Sequence, residues 1–411
     1  MIRGVFVFLH RWLGLLMAGF LVIVGLTGSL LAFDNELDKL FAPQLYAKPR
    51  PGVPQLDLVT LIERAAPLVP HARVRGATQI QPDQASISFE PETDPATGKR
   101  YQLGFTEFFV DPWTGAELGR RTNADLSEGL VNLMPFIYKL HTSLLIKGGG
   151  KLFLGAVAIL WTLDCFVGFY LTLPASLAGF WRKWRPAWAI KRRADFYRLN
   201  FDLHRASGLW LWPMLFIFSW SGVMLSMRPV YDWTMAKLME HRSLIAEMKD
   251  MTLRSANAAP ALDWRKALNS GEHLLAELAA QRHFTPDEPV MLSYIERQGL
   301  YIYGARTSLT FVDGSKTKPA LLMLDGDTGA LFKFIAPAPE HMGDVADDWL
   351  SVLHKAHVFG PPYKVIVSTI GLVVAMLSVT GVCIWWRKRK ARLSQRHRSR
   401  AEALDPARAS G

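Results

Sequence analysis

Four stretches of the chain are nearly unbroken runs of apolar residues, separated by two long polar segments in which hydrophobic positions recur with short periods. The runs cover residues 12–33, 152–173, 209–227 and 365–386. As helices they are long enough to cross a hydrocarbon core of about 30 Å, which takes roughly 20 apolar residues. The third contains Pro213, which membrane helices tolerate. The first exceeds the core of a signal peptide and three similar runs follow it, so it reads as an anchor. In the polar segments, residues 56–66 and 262–280 carry apolar positions at helical spacing. Alternating stretches at 85–89 and 101–110, and again at 290–295, 300–303 and 320–324, predict strands. Each segment closes its last hairpin on a related turn, Asp111-Pro-Trp-Thr-Gly115 and Asp325-Gly-Asp-Thr-Gly329. Aspartate opening and glycine closing a turn is ordinary hairpin chemistry.

The two halves carry the same text. Residues 9–14 read L-H-R-W-L-G and residues 203–208 read L-H-R-A-S-G, each leading into an apolar run. Thr27-Gly28 follows His10 by 17 residues, and Ser221-Gly222 follows His204 by 17. A second histidine repeats as well: His141 lies 27 residues before Gly168, and His354 lies 27 before Gly381. Motifs at fixed offsets mean a tandem duplication. The expectation is an α-helical membrane protein with α+β extramembrane domains, its four-helix transmembrane bundle built from two equivalent pairs.

Charge orients that bundle. Residues 181–205 hold eight Lys/Arg against Asp195 and Asp202, and the tail 387–411 holds nine against Glu402 and Asp405. With four spans both regions fall on one side, together with Arg3 and Arg11, and an excess of cations marks the cytoplasmic side. Trp181, Trp184, Trp385 and Trp386 stand where an interfacial aromatic belt belongs. Most of the net charge of +11 is therefore membrane-anchoring, and no nucleic-acid role is read from the basic tail. The expected order is a cytoplasmic N-terminus and first span (1–33), an external domain (34–140), a cap segment and second span (141–174) and a basic cytoplasmic loop (175–203). The third span (204–227), a second external domain (228–353), a cap segment with the fourth span (354–386) and a basic cytoplasmic tail (387–411) complete it.

The repeated histidines carry the candidate chemistry. Ionisable residues at membrane depth are costly and usually functional. Parallel repeats related by an axis along the membrane normal bring equivalent positions face to face. His10 should then oppose His204 near one surface, and His141 should oppose His354 near the other. Imidazole suits haem iron, and helix bundles build cofactor sites from facing side chains. Two haem b groups are expected, with these four histidines as iron ligands and His357 as an alternative outer ligand. The runs Gly148-Gly-Gly150 and Gly360-Pro-Pro362 should break the helix between each outer histidine and its span. Arg11 and Arg205 follow the inner pair and would either meet a haem propionate or anchor at the interface. The remaining histidines, His71, His241, His273, His283, His341 and His397, read as surface residues. Only Cys165 and Cys383 occur, both within apolar runs, and no C-x-x-C-H is present, which excludes covalently attached haem. No dinucleotide-binding fingerprint is found.

The opening L-H-R-W-L-G-L-L with T-G-S-L-L-A-F, the L-H-T-S-L-L before the second span, L-H-K-A-H-V-F-G before the fourth and the closing T-G-V-C-I-W-W-R-K-R together resemble the PepSY-associated transmembrane helix proteins, over about residues 1–390. Lys355, Ala356 and His357 depart from the centre of the family's last motif, which is close to L-H-T-G-R-L-F-G. The resemblance implies two PepSY-like periplasmic domains, two b-type haems and an iron-regulated protein of the bacterial inner membrane that reduces ferric siderophores. Its partners would be the lipid bilayer, a ferric siderophore and an electron donor, either quinol or a cytoplasmic reductase. Two other readings stand beside this one. The chain could be a membrane-anchored PepSY binding or inhibitory module without redox activity, or a haem subunit serving another redox partner.

Overall fold

A computed structural model of the chain describes residues 2–191, 193, 195–241, 255–309, 318–336 and 341–404, with side chains as far as 396. Along the chain come helices α1 (Ile2–Leu31), α2 (Asp34–Phe41) and α3 (Leu58–Ala65), then strands β1 (Ala72–Gln81), β2 (Gln84–Pro91), β3 (Glu107–Val110) and β4 (Glu117–Arg121). Helices α4 (Leu133–Ser143), α5 (Gly150–Thr172), α6 (Phe180–Trp184), α7 (Phe196–Trp210), α8 (Trp212–Ser226) and α9 (Arg228–Leu238) follow. The chain continues through α10 (Trp264–Arg282), β5 (Pro286–Ile295), β6 (Leu300–Thr307), β7 (Ala320–Asp325), β8 (Leu331–Ile335), α11 (Met342–His354) and α12 (Gly360–Leu404). Two compact units result: one from residues 1–32, 139–231 and 361–411, the other from 33–138 and 232–360.

The helical unit is built from the apolar runs. Helices α1, α5 and residues 360–396 of α12 are each long and apolar enough to cross a membrane. Leu16 and Phe166 are more than half exposed on helices that contribute buried Met17 and Cys165 to the interior, as lipid-facing and bundle-facing surfaces require. Close approach replaces a driving force from water. A Cβ on Gly25 would fall 2.6 Å from the carbonyl of Gly371, and Ser29 donates to the Ser368 carbonyl at 2.8 Å. Small residues one turn apart thus let α1 and α12 touch backbone to backbone. The glycine and proline breaks act as expected, since α4 ends at Ser143 before α5 starts at Gly150, and α11 ends at His354 before α12 starts at Gly360.

The third expected span is different. Helices α7 and α8 meet at an angle of 71°. Pro213 in the first turn of α8 has no N–H to give, and its ring would collide with the carbonyl four residues earlier. Helix α8 alone has 15 residues, about 22 Å at 1.5 Å per residue, so it spans a bilayer only if the bent pair counts as one span. His204 lies on α7, ahead of the bend, rather than on a helix continuous with the apolar run.

The other unit is a layer of helices on an antiparallel sheet of order β4-β3-β2-β1-β5-β6-β7-β8. The two polar segments, expected to form a domain each, contribute four strands each and join into one sheet through β1 and β5. Gly76 pairs with Ser293 at that seam, where a Cβ would lie 2.4 Å from the Leu292 carbonyl, so only glycine allows the approach. The core is likewise shared: Leu61 and Ile62 of α3 and Leu268 and Leu275 of α10 pack with Phe108 and Tyr303 of the sheet. The seam matters because each four-stranded sheet alone would leave an open edge.

Local signals explain the elements. Asp57 caps α3 by accepting from the amides of Val59 and Thr60, and Asp263 caps α10 by accepting from that of Lys266. In the matched turns the Asp111 carboxylate accepts from Trp113 and Thr114, and that of Asp325 from Asp327 and Thr328. Gly115 and Gly329 close these turns with φ of 67° and 71°. The expected strand over 101–110 is shorter, forming only from Glu107. Strand β1 falls outside the expected stretches because its alternation, Ala72-Arg-Val-Arg75, is interrupted by an irregularity at Gly76.

Candidate functional site

The site is assembled from His10 on α1 and His204 on α7, whose ring centroids lie 6.1 Å apart with the planes inclined by 61°. Both rings are held by Nδ1. His10 Nδ1 is 2.9 Å and 3.1 Å from the two carboxylate oxygens of Asp164 on α5. His204 Nδ1 is 3.0 Å from the Leu377 carbonyl and 3.0 Å from the Thr380 hydroxyl on α12. A carboxylate and a carbonyl can only accept, so each Nδ1 carries the proton and donates. The lone pair of each imidazole is then on Nε2, the arrangement of a metal-ligating histidine fixed by its partner.

Glycines make room for the rings. A Cβ on Gly168 would come within 3.4 Å of His10 Cε1, and one on Gly381 within 3.3 Å of His204 Cε1. One turn after each histidine, Gly14 and Gly208 line the same cavity, and around Gly14 a Cβ would meet nothing within 4 Å. The cavity holds about 460 Å³, within the ~300–1,000 Å³ usual for cofactor and ligand pockets. Its walls are mainly apolar and include Trp161, Trp212 and Leu377, with Arg3, Arg11, Arg205 and Lys388 as its cations.

The two expected arginines separate. Arg205 donates to Asp202 at 2.9 Å and to the Pro186 carbonyl at 2.6 Å, and Asp202, wholly buried, also binds Arg198. The Nε of Arg205 is nevertheless buried without a hydrogen-bond partner among the described residues. Arg11 makes no ion pair among the described residues. Arg3 spends its guanidinium on the carbonyls of Leu171 and Leu173.

His141 repeats the local pattern at the other end of α1. Its Nδ1 lies 3.0 Å from the Thr27 hydroxyl, whose own proton goes to the Ile23 carbonyl at 2.7 Å, so the imidazole again donates from Nδ1. A Cβ on Gly28 would lie 3.1 Å from His141 Cε1. His354 is the last residue of α11, in the sheet unit. The outer pairing of His141 with His354 therefore rests on the sequence repeat. His357 is not one helical turn beyond His354, because the helix has ended and Ala356 is left-handed with φ 55°.

Among the described residues no group of three or more His, Cys, Asp or Glu is arranged to hold a bare metal ion. Two imidazoles suit a metal that brings its remaining ligands with it, as haem iron does. Two rings bound through nitrogen to one iron would have centres about 6 Å apart, taking metal–nitrogen bonds of about 2 Å. The observed spacing, the glycine-cleared walls and the orphaned Arg205 Nε all fit that group.

Several contributors escaped the sequence reading. Asp164 is an acidic residue inside an apolar run, which is itself a functional signal at membrane depth. Thr380 gave no such signal, whereas Asp202 and Arg205 stand three residues apart on α7, a spacing at which helical side chains pair. His241, read as a surface residue, has a fully buried side chain with Nε2 2.9 Å from Asp232. The side chain of His397 lies outside the described residues.

A helical unit of membrane-crossing length, with two Nδ1-anchored imidazoles beside an apolar cavity, defines a membrane protein. The chain belongs to the family described as the PepSY-associated TM region, whose model matches residues 7–388. No curated protein matches the chain.

Proposed function

We propose that the chain is an electron-transfer protein of the bacterial inner membrane, a ferric-siderophore reductase that holds two haem b groups in a four-helix bundle and reduces its substrate in the periplasm. One group would be held by His10 and His204, the other by His141 and His354 or His357. Haem so held supplies reversible one-electron iron chemistry. The observation that carries the reading is the pair of imidazoles 6.1 Å apart, each with Nδ1 engaged.

The rest is the work of the protein's own residues. Asp164 and Leu377 fix the inner rings through Nδ1 with the lone pair on Nε2, and Thr27 holds the His141 ring through Nδ1. Gly14, Gly168, Gly208 and Gly381 keep a flat space open beside them, and Trp161 and Trp212 help exclude water from it. Arg11 and Arg205 offer cations to the carboxylates that haem carries, with planar forks suited to them. The proposed substrate is a ferric chelate of hard oxygen ligands, which hold ferrous iron more weakly, so one electron per iron releases the metal. The donor would be quinol or a cytoplasmic reductase on the side of the basic loop and tail.

The sheet unit, with its own shared core, also suits a second reading as a membrane-anchored PepSY binding module. A third keeps the haems and makes the chain a subunit serving another redox partner. A pyridine haemochrome assay and a reduced-minus-oxidised spectrum of the purified full chain separate the first two. The expected result is a b-type spectrum with two haems per chain, falling to one in His10→Ala and in His204→Ala. A colourless protein after expression with ample haem would sink the redox readings. Reduction of a ferric chelate by the pigmented protein, with ferrous iron trapped by a chelator, then separates the first reading from the third.

A further inference from the structure

The inner histidines occupy matched places, yet their anchors are chemically unequal. Asp164 stands four residues before Gly168, and Leu377 stands four residues before Gly381. Each of these two glycines faces the imidazole of its own half. At the first position a carboxylate side chain accepts from the ring. At the second a backbone carbonyl does so, helped by a neutral hydroxyl. The Asp164 side chain is 10% exposed, and His10 is its ionic partner. A carboxylate inside an apolar helix is costly. Leucine serves at the matched position, so packing alone does not call for an acid there.

From this inequality we infer that Asp164 is a positioning residue that makes His10 the more electron-donating of the two imidazoles that would hold the inner haem and so lowers that group's reduction potential. The inference rests on the haem reading above. A charge-assisted hydrogen bond from Nδ1 pulls the proton toward the carboxylate and raises the basicity of Nε2. A more basic ligand favours ferric over ferrous iron, and hydrogen bonding behind the axial ligand is one of the levers a protein has on haem potential. The low-dielectric surroundings leave the charge poorly screened. His204, with neutral acceptors, keeps the character of ordinary imidazole. The consequence is directional: an inner site of low potential holds its electron less tightly and favours onward transfer.

The test is an optical redox titration of the full chain in detergent, with the inner component identified as the one missing from His204→Ala. Asp164→Asn keeps the shape and removes the charge. It should make the inner haem at least tenfold easier to reduce, a rise of about 59 mV for one electron. Asp164→Glu should return the midpoint toward that of the unmodified protein. Thr380→Val, which leaves the Leu377 carbonyl in place, should shift it by less than threefold. An inner haem retained in Asp164→Asn with an unchanged midpoint overturns the inference. Loss of that haem from Asp164→Asn but not from Asp164→Glu supports it, while equal loss from both overturns it, because shape rather than charge would then be at stake. Failure of the haem reading itself shows separately, as absence of pigment from the unmodified protein before any variant is made.

Discussion

The two halves of the helical unit solve one problem with different parts. His10 sits on a single helix of 30 residues and is held by a buried carboxylate. His204 sits on a helix of 15 residues that bends by 71° into the next, and is held by a backbone carbonyl and a hydroxyl. What the duplication keeps is the imidazole with Nδ1 donating, the facing glycine and the glycine one turn on. What it lets go is the helix that carries them. Ring placement within a few tenths of an ångström matters to a ligand site, whereas the course of the supporting helix does not, provided its neighbours hold the ring.

The sharpest test of that equivalence is Gly168→Leu beside Gly381→Leu. Either side chain would occupy the space of an imidazole edge 3.3–3.4 Å from the glycine's missing Cβ. On the proposed haem reading, each should remove the inner group while leaving the outer one, measured as haem per chain; if only one does so, the halves are not equivalent at this point.

In the sheet unit the halves differ at a strand end. Arg121 closes β4 ten residues after Asp111 and is 9% exposed between Glu107 and Asp38, at 2.5 Å and 2.8 Å. The matched residue ten after Asp325 is Ile335, packed near Leu300 and Met323. Burial alone would lower the Arg121 pKa, but the two carboxylates reverse this and raise it. Arg121→Ala strands those acids and should cost about 3–5 kcal/mol, whereas Ile335→Ala should cost about 1–2 kcal/mol. Thermal or urea unfolding of the full chain followed by tryptophan fluorescence would rank them, and equal costs would remove the contrast.

The smallest difference concerns the helix caps. Burial opposes the charge of Asp57, yet hydrogen bonds from Thr60 together with the Arg265 guanidinium outweigh it and lower the pKa. A depressed folded-state value means the contribution is present above the unfolded value near pH 4 and lost as pH falls through the folded one. Asp57→Ala should therefore destabilise by about 1 kcal/mol at neutral pH, with the difference closing in acid. Asp263, whose pKa is also lowered, chiefly by the Lys266 amide, but which lacks a cross-helix arginine, should show a smaller effect of the same sign. A difference that persists below pH 2 would refute the linkage.

Much of the site was legible because its signals are local. The histidine-to-glycine offsets marked Gly28, Gly168 and Gly381, which prove to be the residues against which His141, His10 and His204 pack. The offsets could be counted without knowing that each glycine faces the histidine of the other helix in its half. Asp164 was passed over although it is an acid in an apolar run, and its target lies 154 residues away. His241 was misplaced for the same reason, since its burial comes from Asp232 and its surroundings rather than from its own neighbours in sequence.

By itself the sequence determined the apolar runs, the breaks at Gly150 and Gly360, the capping aspartates, the matched turns and the four repeated histidines. These depend on hydrophobic periodicity, missing N–H groups and side chains that reach two or three residues along the backbone. Only the tertiary structure decided that β1 and β5 join two polar segments into one sheet, that the Pro186 carbonyl takes a hydrogen bond from Arg205, and that Asp164 stands behind His10 while a carbonyl stands behind His204. Each of these is a contact of about 3 Å between residues distant in the chain or on different turns, and spacing along a sequence carries no record of which groups will meet across such a gap.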